Sequence, residues 1–192
     1  MKIGIDLDHT IANYDKAFYQ VALDRRLIPE SLKTSKKSVR DYLRNAHRED
    51  EWTELQGYIY GRRMDLAQPY LGVTSFFNYC QLRGIETFII SHKTRYPYLG
   101  FKYDLHAAAR KWLKAQPFNA DLIFFELTLE EKLKRIDTLN CDYFIDDLPK
   151  VFAIKTFPSH VKKILFDPTN HHSKLVGVRR ITSWDGVIQV IQ

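Results

Sequence analysis

The stretch KIGIDLDHTIANY, residues 2–14, decides how this chain is read. An apolar, strand-like run through Ile3, Ile5 and Leu7 carries two aspartates, Asp6 and Asp8, one residue apart. Two carboxylates ~4 Å apart repel by roughly 4 kcal/mol at an effective dielectric of about 20. A strand entering a core ends this way only where water, a donor-rich turn or a cation compensates the charge.

Working outward, further apolar runs read as buried strands: IETFIIS (85–91), ADLIFFE (120–126), CDYFIDD (141–147), VKKILF (161–166) and VRRIT (178–182). Most are continuous rather than alternating, the pattern of strands covered on both faces. Helical patterns lie between them. TSFFNYCQLRG ends in Gly84, a helix stop, and YDLHAAARKWLKAQ is Ala-rich and amphipathic. TLEEKLKRIDTLN starts with Thr128 and places Glu131 three residues later, a capping-box arrangement. Strands alternating with helices predict an α/β fold, a Rossmann-like parallel sheet with helices on both faces.

One connection is too long for a plain crossover. Between Thr10 and Gly72 no convincing strand occurs, while DKAFYQVALDRRL and EDEWTELQGYIYGRRMDLA read as helices and LIPESLKTSKKS as an irregular stretch. The expected organisation is a core from residues 1–12 and 72–192, with a small helical insertion at 13–71.

The 192 residues are 45% apolar and 14% aromatic, sufficient for one domain with an insertion. No run approaches 18 uninterrupted apolar residues, which argues against a membrane span. The first residues read as strand rather than as a signal peptide. Cys80 and Cys141 sit in apolar stretches without metal or disulfide spacing, so buried free thiols and a cytoplasmic location are expected. The formal charge of +6 is mild. Its densest stretch, LKTSKKSVR with Lys33, Lys36, Lys37 and Arg40, reads as solvated surface. His171 and His172 read as a loop, with metal binding as the lesser alternative.

In open α/β sheets, ligands bind beyond the carboxyl ends of the strands. Three strands end there in polar groups: Asp6, Asp8 and Thr10; Ser91, His92 and Lys93; Asp146 and Asp147. A parallel sheet gathers these sets on one edge, and four carboxylates in one crevice call for a hard cation. An Asp pair after a strand is often only a turn or a cap; the joint pattern is far more specific than any member.

With these motifs in order, the chain resembles the haloacid dehalogenase superfamily. DLDHT (6–10) matches its first motif and TFIIS, ending in Ser91, its second. Lys132 in LEEKLKRI fits the third, and YFIDDLP the fourth. Lys134 competes for the third role, but Lys132 lies nearer the helix start. The resemblance implies a phosphoryl-transfer mechanism. Asp6 is the nucleophile and forms an aspartyl-phosphate. Asp8 acts as general acid, then general base. Mg²⁺ is held by Asp6, the Asp8 backbone carbonyl and Asp146, with Asp147 beside it or acting through water. Ser91 and Lys132 hold the phosphoryl oxygens. The carboxylate at Asp8 points to phosphatase rather than dehalogenase chemistry, because halide leaves without a proton.

The same resemblance makes the insertion a helical cap that closes over the site. Arg62 and Arg63 are candidate substrate contacts in it. His92, Lys93 and Arg95, leaving the sheet after Ser91, are candidates at its border. The expected substrate is a small phosphate monoester, either a nucleoside monophosphate or a sugar phosphate. Two other readings compete: a nucleic-acid phosphate-end processing or binding protein, and a non-catalytic family member. The absence of a dense basic stripe or an aromatic RNA-binding signature argues against nucleic acid, and the intact carboxylate set against an inactive protein.

Overall fold

A computed structural model describes residues 1–192. In chain order its elements are β1 (Lys2–Ile5), β2 (Ala12–Asn13), α1 (Asp15–Asp24), α2 (Lys36–Asn45), α3 (Glu49–Gly61), a 3₁₀ turn (Met64–Leu66), β3 (Gln68–Pro69), α4 (Val73–Leu82), β4 (Glu86–His92) and α5 (Leu105–Lys114). Then follow β5 (Leu122–Glu126), α6 (Leu129–Thr138), β6 (Tyr143–Asp146), α7 (Pro149–Phe152), β7 (Lys162–Phe166), β8 (Val178–Ile181) and α8 (Trp184–Ile191).

The chain divides into two compact units. A core unit comprises Met1–Ala12, Pro69–Lys93 and Pro117–Gln192; a helical unit comprises Asn13–Gln68 and Thr94–Gln116. The core unit holds a six-stranded parallel sheet in the order β5-β4-β1-β6-β7-β8. Every strand expected from the apolar runs is present. β1 lies between β4 and β6, with Ile5 level with both Ile89 and Ile145.

Successive side chains of a strand point to opposite faces, and both faces of this sheet are covered. On one, Phe88, Ile90, Phe144 and Leu165 pack with Leu133 and Ile136 of α6 and with Val151 and Phe152 of α7. On the other, Phe166, next to Leu165, meets the Trp184 ring of α8 at 5.6 Å, and Phe76 of α4 meets the same ring at 4.8 Å. Cys80 and Cys141 are buried free thiols, as expected. α6 begins at the complete capping box of Thr128 and Glu131, which fixes where its first turn stands.

The helical unit packs α1, α2, α3 and α5 around Phe18, Val39, Leu43, Trp52, Leu55, Ile59 and Trp112, all buried. α2 corrects only the end of the stretch 27–38 read as irregular: 27–35 carries no helix or strand, but Lys36 to Ser38 open a helix. Ser35 accepts from the Ser38 amide and starts a helix inside the basic stretch, with Val39 and Leu43 facing inward. That apolar stripe is only two residues wide, too sparse to outweigh the surrounding charge in a sequence window. The unit also takes in Thr94–Gln116, beyond the expected 13–71. Gly57 and Gly61 explain the attachment. A Cβ on Gly57 would lie 2.6 Å from the Pro97 Cβ, and one on Gly61 2.3 Å from the Tyr103 Cβ. The bare helix face of α3 therefore seats the 94–104 segment.

Gly4, in the central strand, has a related role. A Cβ there would stand 2.7 Å from the Phe144 ring and 3.1 Å from Ile90 Cδ1. Gly4→Ala is expected to destabilise the protein by about 1–3 kcal/mol through overpacking. Urea unfolding measures it, and an unchanged midpoint would show that the sheet has room there.

Candidate active site

The carboxyl edge of the sheet carries charge because three neighbouring strands end on it. The Asp6 amide donates to the Ile145 carbonyl at 2.9 Å, extending the β1–β6 ladder to the first carboxylate. Asp146 closes β6. Across β1, the Lys93 amide donates to the Glu126 carbonyl at 2.9 Å, so β4 stays paired with β5 through Lys93. Backbone ladders therefore fix all three chain segments before any side chain is considered.

The turn between β1 and β2 is tight. The amides of Ile11 and Ala12 both donate to the Leu7 carbonyl, and His9 sits at φ 65°. That left-handed conformation is uncommon for a residue with a side chain, though histidine tolerates it better than most. The turn brings Thr10 inward, fully buried. Its carbonyl accepts from Trp184 Nε1 at 3.3 Å, and its Oγ1 lies 3.5 Å from Asp147 Oδ1.

Two buried lysines organise the carboxylates. Lys132 Nζ donates to Asp6 Oδ1 and Asp146 Oδ2, each at 2.6 Å, and is 2% exposed. Lys93 Nζ donates to Asp8 Oδ2 at 2.6 Å and is 5% exposed. The second oxygen of Asp146 accepts from the Leu148 amide at 2.8 Å. Burial alone would lower the Lys132 pKa, but Asp146 and Asp6 together raise it, so the ammonium is held charged. Burial pushes the Asp6 carboxyl up to about 7 against the pull of Lys132, with Asp146 and Asp8 adding to the rise.

Oxygen atoms of Asp6, Asp146 and Asp147 lie within 4.8 Å of one another. This all-carboxylate set suits a hard divalent cation. Lys132 occupies one oxygen of Asp6 and one of Asp146, so such an ion would take the second Asp6 oxygen. Four carboxylates and two ammonium groups leave two negative charges, which one divalent ion would neutralise.

The structure thus brings together Asp6, Asp8, Thr10, Ser91, Lys93, Lys132, Asp146 and Asp147. Ser91 is buried at the end of β4. Lys134 is exposed, so the choice between the two lysines of α6 falls to Lys132. His92 turns outward, its Nε2 3.1 Å from the Leu127 carbonyl. Arg62, Arg63 and Arg95 belong to the helical unit; Arg63 pairs with Asp65 and Arg95 with Asp104, both at 3.2 Å. The Lys93–Asp8 pair escaped the sequence reading. The two residues are 85 positions apart, and only the β1–β4 pairing brings them side by side.

No protein-family model matches the chain. A Bacillus cereus protein named "Putative nucleotidase" is 24% identical to it over 200 residues, covering 100% of this chain and 98% of its own. Among solved structures, a haloacid dehalogenase superfamily hydrolase from Ehrlichia chaffeensis superimposes with a TM-score of 0.59 at 16% identity, over 100% of this chain and 97% of its own. A phosphatase of the same superfamily from Thermococcus onnurineus gives 0.58 at 12% identity, over 100% and 98%.

The crowding of carboxylates has a measurable effect on stability. A carboxyl whose pKa is raised by folding binds its proton more tightly in the folded state, so stability falls as pH rises from the unfolded pKa to the folded one. For Asp6 that window runs from 3.8 to about 7. Each unit is worth ~1.4 kcal/mol, so the total is a few kcal/mol. Metal-free Asp6→Asn is therefore expected to be more stable than wild type at pH 8, the gap closing as pH falls toward 4. Denaturant melts of both proteins across this range measure it; a wild type equal or superior at pH 8 would contradict the crowding. The chain has the fold of the haloacid dehalogenase superfamily hydrolases.

Proposed function

We propose that the protein is a Mg²⁺-dependent phosphatase acting on a small phosphate monoester through an aspartyl-phosphate on Asp6. The observation that carries this reading is the buried Lys132 ammonium joining Asp6 to Asp146 at the carboxyl edge of the sheet. A cation there offsets a carboxylate that must approach an anionic phosphate, and it lies within reach of the transferring oxygens.

In this reading Asp6, the Asp8 backbone carbonyl and Asp146 would hold Mg²⁺, with Asp147 beside it or acting through water, and the ion would supply charge neutralisation for the phosphate. Asp6 attacks phosphorus and the ester P–O bond breaks. Asp8 gives a proton to the leaving oxygen, then takes one from the water that attacks the aspartyl-phosphate. Ser91 and Lys132 bind phosphoryl oxygens. Lys93 holds the Asp8 carboxylate in place while the site is free of substrate.

The helical unit is proposed as the cap that selects the leaving group, with Arg62, Arg63 and Arg95 as contacts. Support comes from charge. Counting Lys and Arg against Asp and Glu, the core unit is neutral and the whole +6 resides in the helical unit. A surplus of that kind draws in an anionic phosphate ester, and the name of the Bacillus cereus relative favours a nucleoside monophosphate over a sugar phosphate.

Two measurements test the reading. Turnover of an aryl phosphate is expected to vanish in EDTA and return with Mg²⁺; undiminished turnover without metal would overturn it. Asp8→Asn is expected to slow alkyl esters by ~10²–10⁴-fold, because an alkoxide needs the proton. With an activated aryl ester the same variant should release a burst of phenolate, then turn over slowly. Equal losses on both esters and no burst would remove the acid/base role from Asp8.

A further inference from the structure

One strand beyond β6 on the same carboxyl edge, the core unit holds a second cluster of metal-ligating groups whose chemistry differs from the first. β7 ends at Phe166, and the loop DPTNHHS begins with Asp167, whose side chain is fully buried. Asp167 Oδ1 lies 3.1 Å from His171 Nδ1, and ligand atoms of Asp167, His171 and His172 all fall within 4.8 Å of one another. The two imidazoles lie against each other, their centroids 3.9 Å apart and their planes tilted by 39°. This places both rings on one side of the loop, whereas adjacent residues in extended chain point apart.

We propose that Asp167, His171 and His172 form a second metal site, selective for a borderline transition ion such as Zn²⁺. Two ligands ~2.1 Å from one ion stand about 3–3.4 Å apart in octahedral or tetrahedral geometry. The Asp167–His171 separation already has that value, and rotation of the partly exposed His172 ring completes the set. Two imidazoles and one carboxylate favour Zn²⁺, Ni²⁺ or Co²⁺, whereas an all-oxygen cluster favours Mg²⁺.

The surroundings are preorganised. Asp167 accepts from the backbone amides of His171 and His172, at 3.2 and 2.9 Å, which bends the loop back on itself. Each carboxylate oxygen keeps a second lone pair beyond those bonds. Thr169 Oγ1, 2.5 Å from His171 Nδ1, holds that ring beside Asp167 and would yield the nitrogen to a bound ion. Arg180 donates to the His172 carbonyl and holds the far side of the loop. The donor set fills only part of a coordination sphere, and its solvent-facing side leaves room for water.

The test uses untagged full-length protein stripped of metal, in saturating Mg²⁺, titrated with ZnCl₂ by calorimetry. One Zn²⁺ equivalent is expected. It should weaken more than tenfold in His171→Gln and in His172→Gln and vanish in the double variant, while persisting in Asp6→Asn. Circular dichroism checks that the variants fold. Wild type taking up no Zn²⁺ in the presence of Mg²⁺, or the double variant binding as wild type does, would overturn the site. The readout involves no turnover, so it stands apart from the proposed phosphatase reaction.

Discussion

The Lys132 ammonium, buried and bonded at 2.6 Å to both Asp6 and Asp146, is the interaction on which the edge of this sheet depends. It joins the first residue of α6's second turn to the ends of two adjacent strands, across sequence separations of 126 and 14 residues. A buried ion pair is seldom a net gain over apolar packing, but removing one partner leaves an uncompensated charge at a cost of about 3–5 kcal/mol. Here one cation serves two anions, so loss of the lysine would strand both. The arrangement is therefore better explained by what it holds in place than by stability.

What it holds is a set of like charges that their mutual repulsion would otherwise disperse. The parallel ladder forces Asp6, Ser91 and Asp146 to one edge, because β1, β4 and β6 are neighbours running in one direction. Once there, the carboxylates are supported by two lysines, the Leu148 amide and the buried Thr10 turn. The left-handed His9 marks the point where the backbone itself is bent to that purpose. The surplus positive charge lies wholly in the helical unit, so the two halves of the chain differ in electrostatic character as they do in architecture.

Much of this was legible in the sequence. Continuous apolar runs located the sheet strands, since residues covered on both faces have no polar alternation to blur them. Asp6, Asp8, Ser91, Asp146 and Asp147 could be grouped because strand ends in a parallel sheet share an edge. The capping box at Thr128 fixed the start of α6 and so favoured Lys132 over Lys134. Illegible were the features set by pairing in space. The Lys93–Asp8 bond follows from strand order, and α2 from an inward stripe of only Val39 and Leu43. The attachment of 94–116 to the helical unit rests on the bare backbone of Gly57 and Gly61, which a periodicity argument counts as a weakness in a helix rather than as a seat.

A crystal structure with Mg²⁺ and beryllium fluoride, a stable mimic of a phosphoryl group on a carboxylate, tests the site most directly. The expected result is a fluoroberyllate bonded to an Asp6 oxygen, with Lys132 and Ser91 on its fluorines and the metal shared by Asp6 and Asp146. A fluoroberyllate bonded to Asp8, or a metal bound away from the Asp6–Asp146 edge, would contradict it.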